Sequence, residues 1–245
     1  HDVPTEATYA FGTSAIRNAQ NQAAFCEQVW QETGIRIRVL NGDEEAQYIY
    51  DGVLASGAIP PNIPSLLVAI GGGSVECIIA TQATVYWKHS FEIGGQRLME
   101  WFMRKDPMDS TDRQRLYSLL EERLIPLTNA VHQYAPTVLV GSSGSFDTLV
   151  DMDYWARTGQ WPPADQPSFA LSIARFREFF ELLITRNQAE RTALPGMIEL
   201  RVDMIVVAVC LIDFLIRNYH LTQLYVSKFS LKEGAVQRLS LPNLP

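Results

Sequence analysis

The sequence predicts an α/β protein in which helices pack on mixed sheets. Three observations predict it: apolar runs of strand length at 66–70, 75–80 and 137–140; helical periodicity in the segments around them; and a length of 245 residues with 47% hydrophobic positions. That length is enough to bury a sizeable core as one large domain or two small ones.

The elements follow in order. Residues 9–12 read as a short strand, and TSAIRNAQNQAAFCEQVWQETG then carries Ile16, Ala19, Ala23, Phe25, Val29 and Trp30 at helical spacing, with Gly34 ending the helix. IRIRVL alternates apolar and basic residues, the period of a half-buried strand. NGDEEAQYIYDGVLASG reads as a helix whose acidic first turn suits the helix dipole. The proline-rich AIPPNIPS marks a domain boundary, giving a first domain over 1–64 and a second over 65–245. Leu66–Ile70 and VECIIA form a hairpin, and TVYWKHSFEI adds a third strand. Helical patterns fill GGQRLMEWFMRK and STDRQRLYSLLEERLIPLTNAVHQY, and TVLV is a strand running straight into GSSGSFDTLV. Apart from WARTGQWPPADQPSF, the rest is mainly helical as far as LYVSKFSLKEGAV.

Composition excludes several function classes. A net charge of −7 argues against sequence-independent grip on a nucleic acid polymer, so a polyanionic ligand needs a local basic pocket. Three cysteines, Cys26, Cys77 and Cys210, are odd in number and lack metal or redox spacing, which points to a reducing cytoplasm. MIVVAVCLIDFLI is shorter than the roughly 18 residues a spanning helix needs and contains Asp213, so it reads as a buried helix and not a membrane segment. No signal-peptide pattern opens the chain. The first residue is not Met and strand-like residues follow almost at once, so the natural N-terminus is expected to lie upstream.

Two glycine loops carry the chemistry. IGGGS, with Gly71, Gly72, Gly73 and Ser74, either cradles phosphate through backbone N–H groups or is a plain hairpin turn. It is not a Walker A loop, because no lysine follows, nor a dinucleotide fingerprint, because Glu76 stands at the last glycine position. The second loop, Gly141, Ser142, Ser143, Gly144 and Ser145, follows a strand and opens a helix, where an anion is favoured. Together they favour a polyphosphate or nucleotide ligand. Arg17 is either a phosphate fork or a solvated helix arginine. Glu44 and Glu45 are adjacent on a helix, so at most one faces a site, and taken alone they read as favourable dipole charge in a first turn. Glu121 and Glu122 read as a solvated face. His1, His89, His132 and His220 have no ligand spacing, and Asp151 and Asp153 lack the rest of a calcium loop.

In order along the chain, GTSAIRNA, NGDEEAQYIYDGV, IGGGSVE, SFEIGGQRLMEWF, VGSSGSFDTL, GMIELRVDMIV and VSKFSLKEGAV resemble the Ppx/GppA phosphatase family of exopolyphosphatases and guanosine pentaphosphate phosphohydrolases. The resemblance implies an actin-like, ribonuclease-H-like fold of two α/β domains with an interdomain cleft, the first domain here incomplete. It further implies magnesium-dependent hydrolysis of terminal phosphoanhydride bonds in inorganic polyphosphate or pppGpp, and a homodimer. Carried over, Glu45 becomes the carboxylate that positions the attacking water, Gly71–Ser74 the phosphate loop, and Glu76 the metal-side carboxylate. Arg17 and Arg97 become cationic groups near the phosphates. The chain departs from the family pattern at Ala69, where the family has an acidic residue, and at Val75; the family's first phosphate loop is absent. A methyl group cannot ligate magnesium. These departures favour impaired or tuned catalysis, with a binding-only regulator as the rival reading. An actin-like-fold kinase and a purely structural domain are more distant alternatives.

Overall fold

The computed structural model describes residues 3–240. After a short turn at Thr5–Ala7 come β1 (Ala10–Gly12), α1 (Ser14–Arg17), α2 (Gln22–Thr33) and β2 (Ile37–Val39). β1 and β2 pair in parallel as a separate two-stranded sheet. The single helix expected here is two. The Asn18 side-chain amide donates back to the Ser14 carbonyl at 3.0 Å and closes α1, the competition with the backbone that keeps Asn out of helix interiors. Gly34 ends α2 as expected, at φ 71°. The expected apolar stripe of α2 is not buried, and Phe25 is 42% exposed.

α3 (Gly42–Ala55) begins at a reciprocal cap: Asn41 Oδ1 accepts from the Glu44 amide and Glu44 Oε2 from the Asn41 amide, both at 2.9 Å. The proline-rich segment then leads into β3 (Ser65–Ile70), β4 (Val75–Ala80) and β5 (Val85–Phe91), an antiparallel meander that contains the expected hairpin. α4 (Gly95–Phe102), α5 (Ser110–Arg123) and α6 (Ile125–Tyr134) follow. The helical pattern over 110–134 divides at Leu124, because Pro126 has no N–H for a continuing helix and suits a first turn instead.

β6 (Val138–Ser142), α7 (Gly144–Thr158), β7 (Ser168–Leu171), α8 (Ile173–Thr185), α9 (Gln188–Thr192), α10 (Met204–Asn218), β8 (Gln223–Ser227) and α11 (Leu231–Ser240) complete the described chain. β7 was not expected from sequence. It is an edge strand of four residues behind Pro167, with only Phe169 and Leu171 turned into the core, too short to show a period.

The six-stranded sheet runs β5-β4-β3-β6-β8-β7, with β3, β6 and β8 parallel and the outer strands antiparallel to their neighbours. Both faces are covered, so β3 reads as a continuous apolar run and not an alternation. Leu66, Val68 and Ile70 join the core formed with α4 to α8 and α10; Leu67 and Ala69 pack under Ala46, Ile49 and Val53 of α3. α10 is buried from Ile205 through Ile216, as its predominantly apolar sequence requires, and its one buried charge, Asp213, accepts from Tyr117 and Arg217. Burying each such aliphatic side chain is worth about 1.5–3 kcal/mol. Among the described residues no helix is long and apolar enough to cross a membrane.

Candidate active site

Four segments distant in sequence meet at one edge of the large sheet: α1, the first turn of α3, the β3–β4 turn and the β5–α4 turn. Gly42 permits the approach of α3. A Cβ there would lie 2.6 Å from the Ser90 Cβ, so the first turn of α3 rests directly on β5. The cap at Asn41 then separates the two adjacent glutamates. Glu44 turns outward to Arg38 at 2.6 Å, while Glu45 turns inward, 6% exposed, and accepts from Arg17 Nη1 at 2.7 Å. Arg17 Nη1 also donates to the Leu40 carbonyl at 3.0 Å, so its fork is held on two sides. Burial raises the Glu45 carboxyl above its ordinary value, and the Arg17 hydrogen bond opposes that rise.

Glu76 is the deepest carboxylate here, 2% exposed, and sits in register opposite Ser90 on one side and Ala69 on the other. The Ser90 hydroxyl donates to Glu76 Oε1 at 2.8 Å. Burial first, then the charge on Glu45, pushes Glu76 up to about 7, against the hydroxyls of Ser74 and Ser90. The neighbouring arginines are committed elsewhere: Arg17 to Glu45 and Glu92, Arg97 to Glu92.

The first glycine loop is a hairpin turn with its carbonyls engaged. The Gly71 amide donates to the Ser74 carbonyl at 3.0 Å, and the Gly71 and Gly72 carbonyls accept from the Gly95 and Gln96 amides of α4 at 2.8 and 2.9 Å. Arg97 Nε donates to the Gly73 carbonyl at 2.9 Å. The amides of Gly72 and Gly73 have no backbone acceptor among the described residues, which leaves them free for an anion. Close approach accounts for Gly73: a Cβ there would lie 2.5 Å from Ser14 Oγ.

One residue at this centre escaped the sequence reading. Glu92 accepts hydrogen bonds from Ser14 Oγ and Asn18 Nδ2 at 2.8 Å each and from the Arg17 and Arg97 guanidiniums at 3.1 Å each. It lies just past the end of β5, in the turn before α4, where no strand or helix period marks it.

The second loop lies one strand over. β3 and β6 run parallel with Ala69 opposite Ser142, so both loops leave the same edge, the carboxyl ends of parallel strands where α/β proteins place ligands. Ser143 holds φ 74°, a left-handed conformation costly for a residue with a Cβ. Ser142 and Ser143 hydroxyls lie 3.3 and 3.2 Å from Ser230 Oγ. Ser145 Oγ and Asp147 Oδ1 are buried without a hydrogen-bond partner, and a Cβ on Gly144 would lie 2.2 Å from the Arg201 guanidinium carbon. Gly141 is small because Phe146 lies against it. Arg201 and Ser230 are further residues the sequence reading did not single out; only the fold carries them to this loop. The structure thus unites Arg17, Glu45, Gly73, Glu76 and Arg97 in one cluster, with Gly141–Ser145 beside it on the next strand. Among the described residues no three acidic, His or Cys side chains group as a metal site.

Known proteins with the same architecture include an exopolyphosphatase from Cytophaga hutchinsonii, 39% identical, with a TM-score of 0.90 over 94% of this chain and 74% of that one. A Ppx/GppA enzyme from Aquifex aeolicus is 25% identical, with a TM-score of 0.79 over 93% of this chain and 74% of that one. The fold is therefore actin-like. Exopolyphosphatase 1 of Mycobacterium leprae is 25% identical over 94% of this chain, which spans 67% of that protein's length. The corresponding Mycobacterium bovis protein is 24% identical, with 94% and 66% covered. The chain thus spans about two thirds of these curated relatives. Since the profile of the Ppx/GppA phosphatase family matches residues 1–242, the chain belongs to that family.

Proposed function

We propose that this chain is a phosphohydrolase that releases orthophosphate from the end of inorganic polyphosphate, with pppGpp as a second substrate presenting the same terminal anhydride. The observation that carries the reading is the buried Glu45 carboxylate, held at 2.7 Å by Arg17 next to Glu76 and the glycine hairpin. Phosphoanhydride hydrolysis asks the protein for a group that orients water in line and for neutralisation of charge on the transferred phosphoryl. Glu45 accepts the hydrogen bond of that water. Amides of Gly72, Gly73 and Ser74 and the second loop, Gly141–Ser145, hold phosphate oxygens, the Gly71 amide being committed to the Ser74 carbonyl within the turn, while Arg17 and Arg97 counter their charge.

Charge counting supports a divalent cation as part of the reading. Glu45 and Glu92 are paired with Arg17 and Arg97, so ionisation of Glu76 leaves the cradle with one surplus negative charge before a polyanion arrives. Glu76, a buried carboxylate bonded only by hydroxyls, would offer a magnesium ion the oxygen ligand that this hard cation takes. Bound there, magnesium would neutralise charge at the phosphoryl group. Ala69 beside Glu76 offers no second carboxylate, so the hold is weaker than a paired site and catalysis is tuned down by it.

The test is magnesium-dependent phosphate release from long-chain polyphosphate, with pppGpp in parallel. Glu45→Gln is expected to lower the rate by roughly 10²–10⁴-fold; full activity in that variant removes Glu45 from the role. Ala69 also supports a second reading, a regulator that binds polyphosphate or guanosine polyphosphate without turnover. Calorimetric binding with no phosphate release selects it. Three free cysteines, two of them buried, support a reducing compartment such as the cytoplasm. A homodimer is carried over from the family resemblance, with light scattering as its check.

A further inference from the structure

Glu92 is the unusual member of the cluster. It projects from the β5–α4 turn with 43% of its side chain exposed, yet four donors from separate positions converge on it: the Ser14 hydroxyl, the Asn18 amide and the guanidiniums of Arg17 and Arg97, at 2.8 to 3.1 Å. An exposed carboxylate gains little from one surface pair, so a fourfold set is not needed to hold it in place. Two guanidiniums, a hydroxyl and an amide pointing at one oxygen-bearing anion form the kind of donor set that receives a phosphate group. The cradle borders the glycine hairpin directly: Arg97 donates both to Glu92 and to the Gly73 carbonyl, and Ser14 lies where a Gly73 side chain would be.

We propose that Ser14, Arg17, Asn18 and Arg97 form a subsite for one phosphate group of the substrate, and that the Glu92 carboxylate occupies it as an internal competitor in the free protein. Ser14 and Asn18 thereby join the binding residues, and Glu92 becomes the group that swings out when a polyanion enters. Its position at a solvent-exposed turn gives it room to leave. Burial tends to raise the Glu92 carboxyl, but hydrogen bonds from Asn18, Ser14 and Arg17 hold it below the ordinary value, so it remains an anion at neutral pH. A site filled by its own side chain binds with an affinity reduced by the fraction of molecules in which that side chain is in place.

This inference rests on the phosphate reading above, and the experiment separates the two. Sodium tripolyphosphate is titrated calorimetrically into the wild-type chain, Glu92→Ala and Asn18→Ala, with melting temperatures checking that each is folded. Removing the competitor is expected to tighten binding by about tenfold, and removing the Asn18 donor to weaken it. Weaker binding in Glu92→Ala would overturn the proposal and make Glu92 a residue that positions the two arginines. Unchanged affinity in both variants would overturn it by showing that the anion does not enter this cradle, while leaving the phosphate reading standing. No binding to any of the three folded proteins would overturn both.

Discussion

At the scale of the residue, Glu76 sets the sharpest consequence. Its carboxyl titrates near 7 in the folded protein against an ordinary 4.5, because burial and the neighbouring Glu45 disfavour the charged form. The folded-state value is raised, so the fold favours the protonated carboxyl. That contribution is fully present below the unfolded value and is lost as pH rises through about 7. In metal-free buffer the chain is expected to lose stability over this window, by an amount on the order of 3 kcal/mol. Denaturant midpoints measured from pH 5 to 8 should therefore fall more steeply for the wild type than for Glu76→Gln, in which the buried Glu45 still resists ionisation. Parallel profiles for the two proteins would show that Glu76 is not the titrating group.

At the scale of the element, α3 and α11 hold the site's outer wall through two glycines. A Cβ on Gly52 would lie 2.0 Å from the Ser230 carbonyl oxygen, and one on Gly234 1.8 Å from the Tyr48 carbonyl oxygen. Backbone cannot yield as a flexible side chain can, so the helices must separate to admit even a methyl group. Gly234→Ala is expected to destabilise by about 1–3 kcal/mol and to disturb Ser230 against the second loop, read as a lowered denaturation midpoint. An unchanged midpoint would mean the crossing is looser than the geometry requires. This crossing illustrates what was legible in the sequence. The start of α3 could be read from its acidic first turn, and the IGGGSVE hairpin because its two strands are adjacent; the Asn41–Glu44 cap itself was not read. The partition of Glu44 from Glu45 needed the cap geometry itself. Glu92, Arg201 and Ser230 could not be read as site residues, since Glu92 meets donors 74 to 78 residues earlier in the chain. β7 and the break at Asn18 were lost to short length and to a single side-chain bond that leaves no periodic trace.

At the scale of the whole molecule, one register row crosses all six strands of the large sheet: Ser90, Glu76, Ala69, Ser142, Ser227 and Ser168. Every position but one is polar, and the row lies next to the loops that leave the sheet's ligand edge. The exception, Ala69, is 2% exposed and separates the one carboxylate of the row, which Ser90 bonds from its other side, from the hydroxyls of Ser142, Ser227 and Ser168. A carboxylate at position 69 would face Glu76 across paired strands at a separation of about 4.5–5.5 Å between Cβ atoms. Two anions that close repel without a cation between them, and with one they form the paired oxygen set a hard divalent ion takes up. Ala69→Asp is accordingly expected to melt lower than the wild type in chelator, to recover when magnesium is added, and to show a larger magnesium-induced rise in melting temperature than the wild type. If magnesium raises both proteins equally, the row does not reach the ion, and the surplus charge of the cradle must be met by the substrate's own counterions.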